Sequence, residues 1–333
     1  MVFQEKIPAF MILKLALQLI LGTVFSALVS ILAYRFKLLT SDGAAASFLL
    51  GAIIFGTGGI GFAMPLLFFF LSSSLLSKYK QSEKTKYRDF YEKPHKTGRA
   101  GVPDLREINT PNSVGVRQRQ TSPDLDTDPV GGAPCPAGET PTFARDKNQV
   151  LANGIIAGIL AFVHFVFPSP SVYYAYLACL ATVNADTWGT EIGILSKVEP
   201  ISLRTFRKVS PGSSGGITLL GTASSLFGSF FLVLIGFLPG VSPLPFKLEL
   251  FLIIVIVGFS GSFIDSLLGA FLQAQYLCPI CNRMTERKTH CNFDTNRVSG
   301  ISWLNNDWVN FLSSISGIIL FLLLKRLLLS SQL

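Results

Sequence analysis

Asp186 and Glu191 close a long apolar run in the stretch NADTWGTEIG, residues 184–193. An ionised carboxylate inside hydrocarbon is costly, so residues of this kind face a water-filled cavity, a partner or an ion. Two further segments place acids in the same setting: Asp265 in GSFIDSLLGA, and Asp307 in LNNDWVNFLSS, where Asn306 and Asn310 lie one helical turn apart. Carboxylates accompanied by Asn and Ser, without His or Cys, are hard oxygen donors suited to Mg²⁺. Asp186, Gly189 and Gly193 share one helical face, and Gly261, Asp265 and Gly269 repeat the pattern, so a second backbone or a ligand can approach closely. A small-residue stripe alone serves helix packing, whereas three acids on such stripes at one depth point beyond it. Glu191 lies about 140° round a continuous helix from Asp186, so on an unbroken helix the two serve neighbouring roles. The expected metal set is Asp186, Glu191 and Asp265, holding Mg²⁺ directly or through water, with Asp42 and Asp307 in support.

A second chemistry is suggested by SPGSSGG, residues 210–216. Glycines and serines before a helix start leave backbone N–H groups free beside the positive end of the helix dipole, an arrangement suited to phosphate. Ser213, Ser214, Gly215 and Gly216 are the expected cradle, with Arg207 and Lys208 adding positive charge. The Gly-Lys-Ser/Thr ending of a Walker A loop is missing. Asn306 and Asn310 are candidates for orienting an acceptor phosphate.

The third group is CPICNRMTERKTHC, residues 278–291. Cys278, Cys281, His290 and Cys291 supply enough soft ligands for a closed tetrahedral Zn²⁺ site, with unliganded thiols and redox chemistry as the alternatives. Reducing surroundings argue against a disulfide. Adjacent His290 and Cys291 can share a metal only where the backbone turns sharply. Cys179 reads as a small packing residue, Cys135 as a solvated thiol, and His164, alone at a helix end, carries no assigned role.

The elements that position these groups are membrane helices. The chain is 49% hydrophobic and 14% charged, with mean hydropathy +0.48, an all-α polytopic bundle by composition. Apolar stretches near 11–33, 43–59, 61–77, 150–167, 171–187, 216–238, 248–272 and 308–329 give about eight crossings. The net charge of +8 reads as topology rather than affinity for nucleic acid, and no basic-aromatic nucleic-acid motif is present. Basic residues follow the third, fifth and seventh spans, which makes those loops cytoplasmic and places every polar motif on that face; Lys325 and Arg326 dissent. The organisation is three helices over residues 1–80, a polar insert at 84–145, and five helices over 148–333 carrying most of the site. The insert is rich in Pro, Gly, Ser and mixed charge and is expected to be disordered.

SDGAAAS, NADTWGTEIG, SPGSSGGITLLGTASSLFG, GSFIDSLLGAFLQAQYLCPIC and LNNDWVNFLSS together resemble, in order and spacing, the integral membrane family of domain of unknown function 92. That family includes transmembrane-protein-19-like proteins and the phytyl phosphate kinases of the tocopherol pathway. The resemblance covers the chain outside the insert. The Cys-His loop departs from the animal members and is more similar to prokaryotic ones, which would put the protein in the plasma membrane; organellar or endomembrane locations are the other options. The resemblance implies a Mg²⁺-dependent transfer of phosphoryl from a nucleoside triphosphate such as CTP to an isoprenyl monophosphate lipid, giving the diphosphate. ADTWGTEIG also looks like the Asp-containing motifs of polyprenol kinases and membrane cytidylyltransferases. Two other readings stand beside the kinase: a transporter of an ion or phosphorylated lipid, and a CTP-dependent cytidylyltransferase. The motifs' restriction to one face favours an interfacial enzyme over an alternating path.

Overall fold

The computed structural model describes residues 9–79, 144–280 and 284–329. Among these, seven helices form the bundle: α1 (Ala9–Arg35), α2 (Ser41–Lys78), α3 (Lys147–Val166), α4 (Pro170–Gly193), α5 (Leu219–Gly236), α6 (Leu248–Phe271) and α7 (Asn306–Leu329). Six of them, all but α4, are long and apolar enough to cross a membrane. The molecule is thus a polytopic helical membrane protein.

A straight helix as long as α2 would extend about 57 Å, nearly twice the hydrocarbon thickness of roughly 30 Å. It does not run straight. At Gly59 the backbone takes φ 61° and ψ −159°, a conformation that L side chains rarely adopt, and the helix folds back. The first arm runs antiparallel to α1, with Ser26 Oγ donating to Phe48 O and Gln18 Nε2 to Gly56 O. The second runs parallel to α4: Tyr176 donates to Phe62 O, Ser72 to Asn184 Oδ1 and Ser77 to Glu191 Oε1. Pro65 offers no N–H to Gly61 O, and the Tyr173 hydroxyl approaches that carbonyl instead, at 3.4 Å. Both ends of α2 therefore lie on one side of the bundle, where Lys78 Nζ donates to Phe36 O. The two arms correspond to the spans expected at 43–59 and 61–77. With the two arms counted separately and α4 included, the described residues hold eight helical segments, against six helices long and apolar enough to cross a membrane.

Helix α4 is the central element, and Tyr173, Tyr176, Leu177, Cys179 and Leu180 are fully buried along it. Its polarity is tolerated because the other helices shield it and its polar groups bond internally. Tyr173 donates to Gly236 O (2.7 Å), and Asn184 Nδ2 to Gly228 O (2.7 Å). Small residues set the close contacts around it, as expected where lipid gives helices little hydrophobic drive to associate. A Cβ on Gly261 would lie 2.5 Å from Thr182 Oγ1, one on Gly189 2.2 Å from Ser225 Oγ, and one on Gly193 3.1 Å from Gly221 Cα.

Short strands organise the loops. β1 (Ile201–Ser202) pairs with β2 (Gly216–Ile217); β3 (Gln275–Leu277) lies between β4 (Met284–Thr285) and β7 (Asn296–Ser299); and β5 (Thr289–His290) pairs with β6 (Phe293–Asp294). Two boundaries differ from the sequence reading. The sixth span starts at Leu219, not 216, because residues 216–217 pair with β1 and Thr218 caps the helix by accepting from Gly221 N. Arg145, expected inside the polar insert, is held by the bundle: its N donates to Leu38 O, and its carbonyl accepts from Thr40 N. The rest of that insert, Cys135 included, lies outside the described residues, so its expected disorder is not addressed.

Candidate functional site

All five motifs gather at the end of the bundle where α1 and α4 finish and α7 begins. Asp186 on α4 and Asp265 on α6 interact directly, and Ser313 of α7 lies beside Asp265, its hydroxyl donating to Asn310 O (3.0 Å). The Gly261 contact with Thr182, one turn earlier, lets the helices come this close. Asp265 is 8% exposed, and its Oδ2 has no hydrogen-bond partner. A buried carboxylate oxygen without a partner is costly unless a cation or donor completes it. Two facing carboxylates with a free oxygen fit Mg²⁺, which commonly takes one or two carboxylates and fills its octahedron with water and substrate phosphates.

Glu191 stands apart from this pair. It accepts from Ser77 Oγ (2.5 Å) on the opposite side of α4, and its charge bears on Arg145. The helix is continuous to Gly193, so the roughly 140° separation persists. The three acids expected as one metal set are divided, Asp186 with Asp265 and Glu191 with Arg145. Asp307 is half-buried and feels the charge of Asp146 at the start of α3. Asn310 is half-buried and Asn306 exposed. Asp42 accepts from Gly43 N (2.9 Å) and from the Thr40 hydroxyl, so its carboxylate helps cap α2.

The SPGSSGG loop is not itself a helix N-terminus, since Thr218 occupies the cap. It docks on the end of α6 instead. Ser214 donates to Gln273 Oε1 (2.8 Å), and its Oγ would lie 2.7 Å from a Cβ on Gly269, one turn beyond Asp265. Gly215 has φ 71°, and a Cβ there would lie 2.3 Å from that of Ala270, so glycine is required on both counts. Ser213 N donates to Ser210 O and Gly216 N to Ser213 O, so the loop's own carbonyls occupy two of its four expected N–H donors. Lys208 is exposed and pairs with Glu199 at 3.3 Å.

Cys278, His290 and Cys291 place one potential ligand atom each within 4.8 Å of one another. The sharp turn this needs is present: β5 and β6 form a hairpin whose two loop residues, Cys291 and Asn292, have φ 53° and 62°, the positive-φ pair of a tight hairpin turn. His290 Nδ1 is 3.3 Å from Cys291 Sγ. Cys281 lies outside the described residues. Contrary to the expectation that reducing surroundings leave no disulfide here, Cys291 is disulfide-bonded, and Cys278 is not its partner. Converging sulfurs serve a metal or a disulfide, and the states exclude each other because a zinc ligand must be a thiolate.

Three residues escaped the sequence reading. Ser77 and Ser313 looked like ordinary helix serines. Arg145 was placed in the insert, yet its Nη1 donates to Ser73 Oγ (3.0 Å) and its guanidinium lies over the Phe69 ring at 5.7 Å. Burial lowers its pKa and the Glu191 charge offsets part of that effect. A signal existed: Asp146 caps α3 by accepting from Gln149 N (3.0 Å), a spacing that marks a helix start and makes Arg145 its anchor.

The family model described as integral membrane protein DUF92 matches residues 24–106 and 131–318. Protein PGR of Arabidopsis thaliana is 28% identical over 309 residues, covering 89% of this chain and 92% of its own length. An uncharacterised membrane protein of Methanocaldococcus jannaschii is 33% identical over 129 residues, 39% of this chain and 52% of that protein. No solved structure matches.

Proposed function

The chain belongs to the integral membrane DUF92 family, and on that premise we propose that it transfers a phosphoryl group from a nucleoside triphosphate to an isoprenyl monophosphate. The observation that carries this reading is the facing Asp186 and Asp265, with an unpartnered carboxylate oxygen one turn from the Ser214–Gly215 loop. Asp186 and Asp265 would hold Mg²⁺, with Ser313 beside Asp265. When bound, the cation would neutralise charge on the nucleotide's phosphates. Ser213, Ser214, Gly215 and Gly216 bound the nucleotide side of the site, with Lys208 at its exposed edge. Asn306 and Asn310 orient the acceptor, and Asp42 and Asp307 shape the rim.

An oxygen of the lipid monophosphate attacks the γ-phosphorus. The bond to the β–γ bridging oxygen breaks, its electron pair leaves with the nucleoside diphosphate, and the lipid becomes a diphosphate. The acceptor oxygen is already anionic, so no strong general base is needed, and positioning with charge neutralisation carries the reaction. In the reduced protein, with the Cys291 disulfide open, Cys278, His290 and Cys291 would hold a structural Zn²⁺ that ties the loop between α6 and α7.

The test uses purified protein in detergent with Mg²⁺, isoprenyl monophosphates of several lengths and nucleoside triphosphates labelled at either the α- or the γ-phosphate. γ-Label in the lipid, with equimolar nucleoside diphosphate and loss in Asp186→Asn, supports the kinase. α-Label in the lipid with pyrophosphate release would make it a cytidylyltransferase-type enzyme. No transfer to any acceptor by folded protein would reject both.

A further inference from the structure

A groove open at its mouth lies between α1, both arms of α2 and α3, with about 590 Å³ of space that counts its open surroundings and about 50 Å³ enclosed. The wall is mostly apolar, with Leu50, Phe55, Leu66 and Phe70 among its residues, and small residues such as Gly51 leave the room. Ser47 and Phe55 on the first arm both line it, so it runs about 12 Å along the helix at 1.5 Å per residue. Two further observations separate it from a packing defect. Ser30, 4% exposed, lines it with an Oγ that has no hydrogen-bond partner. At the end of the bundle that carries the motifs, the wall includes Arg145, which also lines a smaller pocket with Ser77 and Lys78.

We propose that this cavity holds the apolar chain of an isoprenyl monophosphate, with the phosphate against Arg145 and Lys78. The phosphate identity of the lipid rests on the kinase reading; occupancy by a single-chain anionic lipid rests on the cavity itself. A single apolar slot ending at two cations matches one chain and a dianionic head better than a two-chain diester carrying a single charge. Gln149 and Asn153, one turn apart on α3, add amide donors along the wall. Ser77 holds Glu191 to one side (2.5 Å), and Glu191 lies only about 7.5 Å along α4 from Asp186. A head group at Arg145 is therefore at the same end of the bundle as the carboxylate pair but on the other side of α4, with its tail still in the membrane.

The position of Arg145 is built into the fold. Its main chain bonds Leu38 and Thr40, and its carbonyl oxygen would lie 2.2 Å from a Cβ on Gly43, so the first turn of α2 closes against it. With its main chain held in this way and Nη1 on Ser73 Oγ (3.0 Å), Arg145 presents at the cavity end a group whose planar fork suits phosphate.

The experiment is photolabelling of the full-length protein in detergent with a diazirine-bearing isoprenyl monophosphate, followed by peptide mapping. Label is expected on α1, α2 and α3 at cavity residues. Unlabelled isoprenyl monophosphate should compete, and inorganic phosphate or the free isoprenol should compete at least about tenfold less well. Arg145→Gln should weaken labelling about tenfold or more, with Arg145→Lys between it and the parent. Ser30→Phe should remove cavity labelling while thermal unfolding shows the protein intact; Ser47→Phe provides the same test from the opposite wall. Label spread over lipid-facing side chains such as Leu17 and Leu28, unaffected by Arg145→Gln and by both fillings, would overturn the proposal. Cavity labelling without turnover would reject the kinase and leave this site standing; turnover with labelling only elsewhere would do the reverse.

Discussion

Asp186 and Glu191 are five residues apart on one helix, yet α4 presents them to different worlds. Asp186 meets another carboxylate whose buried Oδ2 lacks a partner. Glu191 meets a serine hydroxyl and the charge of an arginine. The first side is short of positive charge, whereas on the second Arg145 and Lys78 supply it. That difference decides which acid should bind a cation: carboxylates held together in a buried setting need a cation or a shared proton, whereas a carboxylate beside a guanidinium gains little from it. The contrast also teaches that acidity within a motif is a poor guide to role, since six consecutive residues contribute to two separate sites.

The strongest way to break the comparison is to exchange the acids. Asp186→Asn and Asp265→Asn are each expected to lower lipid diphosphate formation about 100-fold or more, while Glu191→Gln lowers it less than about tenfold, measured as initial rates at saturating Mg²⁺. Equal losses in all three would dissolve the distinction. A smaller effect is expected from the packing that brings the pair together. Gly261→Val places a Cβ against Thr182 and should cost about 1–3 kcal/mol, read as a lower unfolding temperature in detergent, with weaker Mg²⁺ dependence in the protein that remains folded.

The Cys-His knuckle sharpens the comparison from the far side of Asp265. Protein purified under reducing conditions should carry one Zn²⁺ per chain by metal analysis, and Cys278→Ser should lose it together with several degrees of thermal stability. Zero metal, with Cys291 alkylated only after reductant is added, would establish the disulfide state instead. The smallest effect belongs to Lys208→Ala. Its ion pair with Glu199 is exposed, so stability should change by less than about 1 kcal/mol, and any loss larger than that in nucleotide affinity would place Lys208 on the phosphates.

Much of the fold could be read from the chain because lipid imposes simple rules. Apolar runs of sufficient length become helices, and the glycines between 56 and 61 divide a run too long for one crossing. Asp186 and Asp265 could be found by type and spacing, since an acid among small residues in an apolar run has few innocuous explanations. Pairings were less accessible. Nothing local links Ser77 to Glu191 across 114 positions, and Arg145 was hidden by the polar composition preceding it although its neighbours Asp146 and Gln149 mark a cap. The SPGSSGG loop was recognised by composition, but its docking was not legible: Thr218 caps the helix that follows, and Gly215 is needed for the approach to Ala270.

The most direct test of the central claim is Mn²⁺ binding, followed by electron paramagnetic resonance, to the purified protein and to its Asp186→Asn, Asp265→Asn and Glu191→Gln variants. The account expects one bound ion per chain in the parent, retained in Glu191→Gln, abolished in both aspartate variants and displaced by excess Mg²⁺. Binding that survives loss of either aspartate, or that disappears with Glu191, would contradict it.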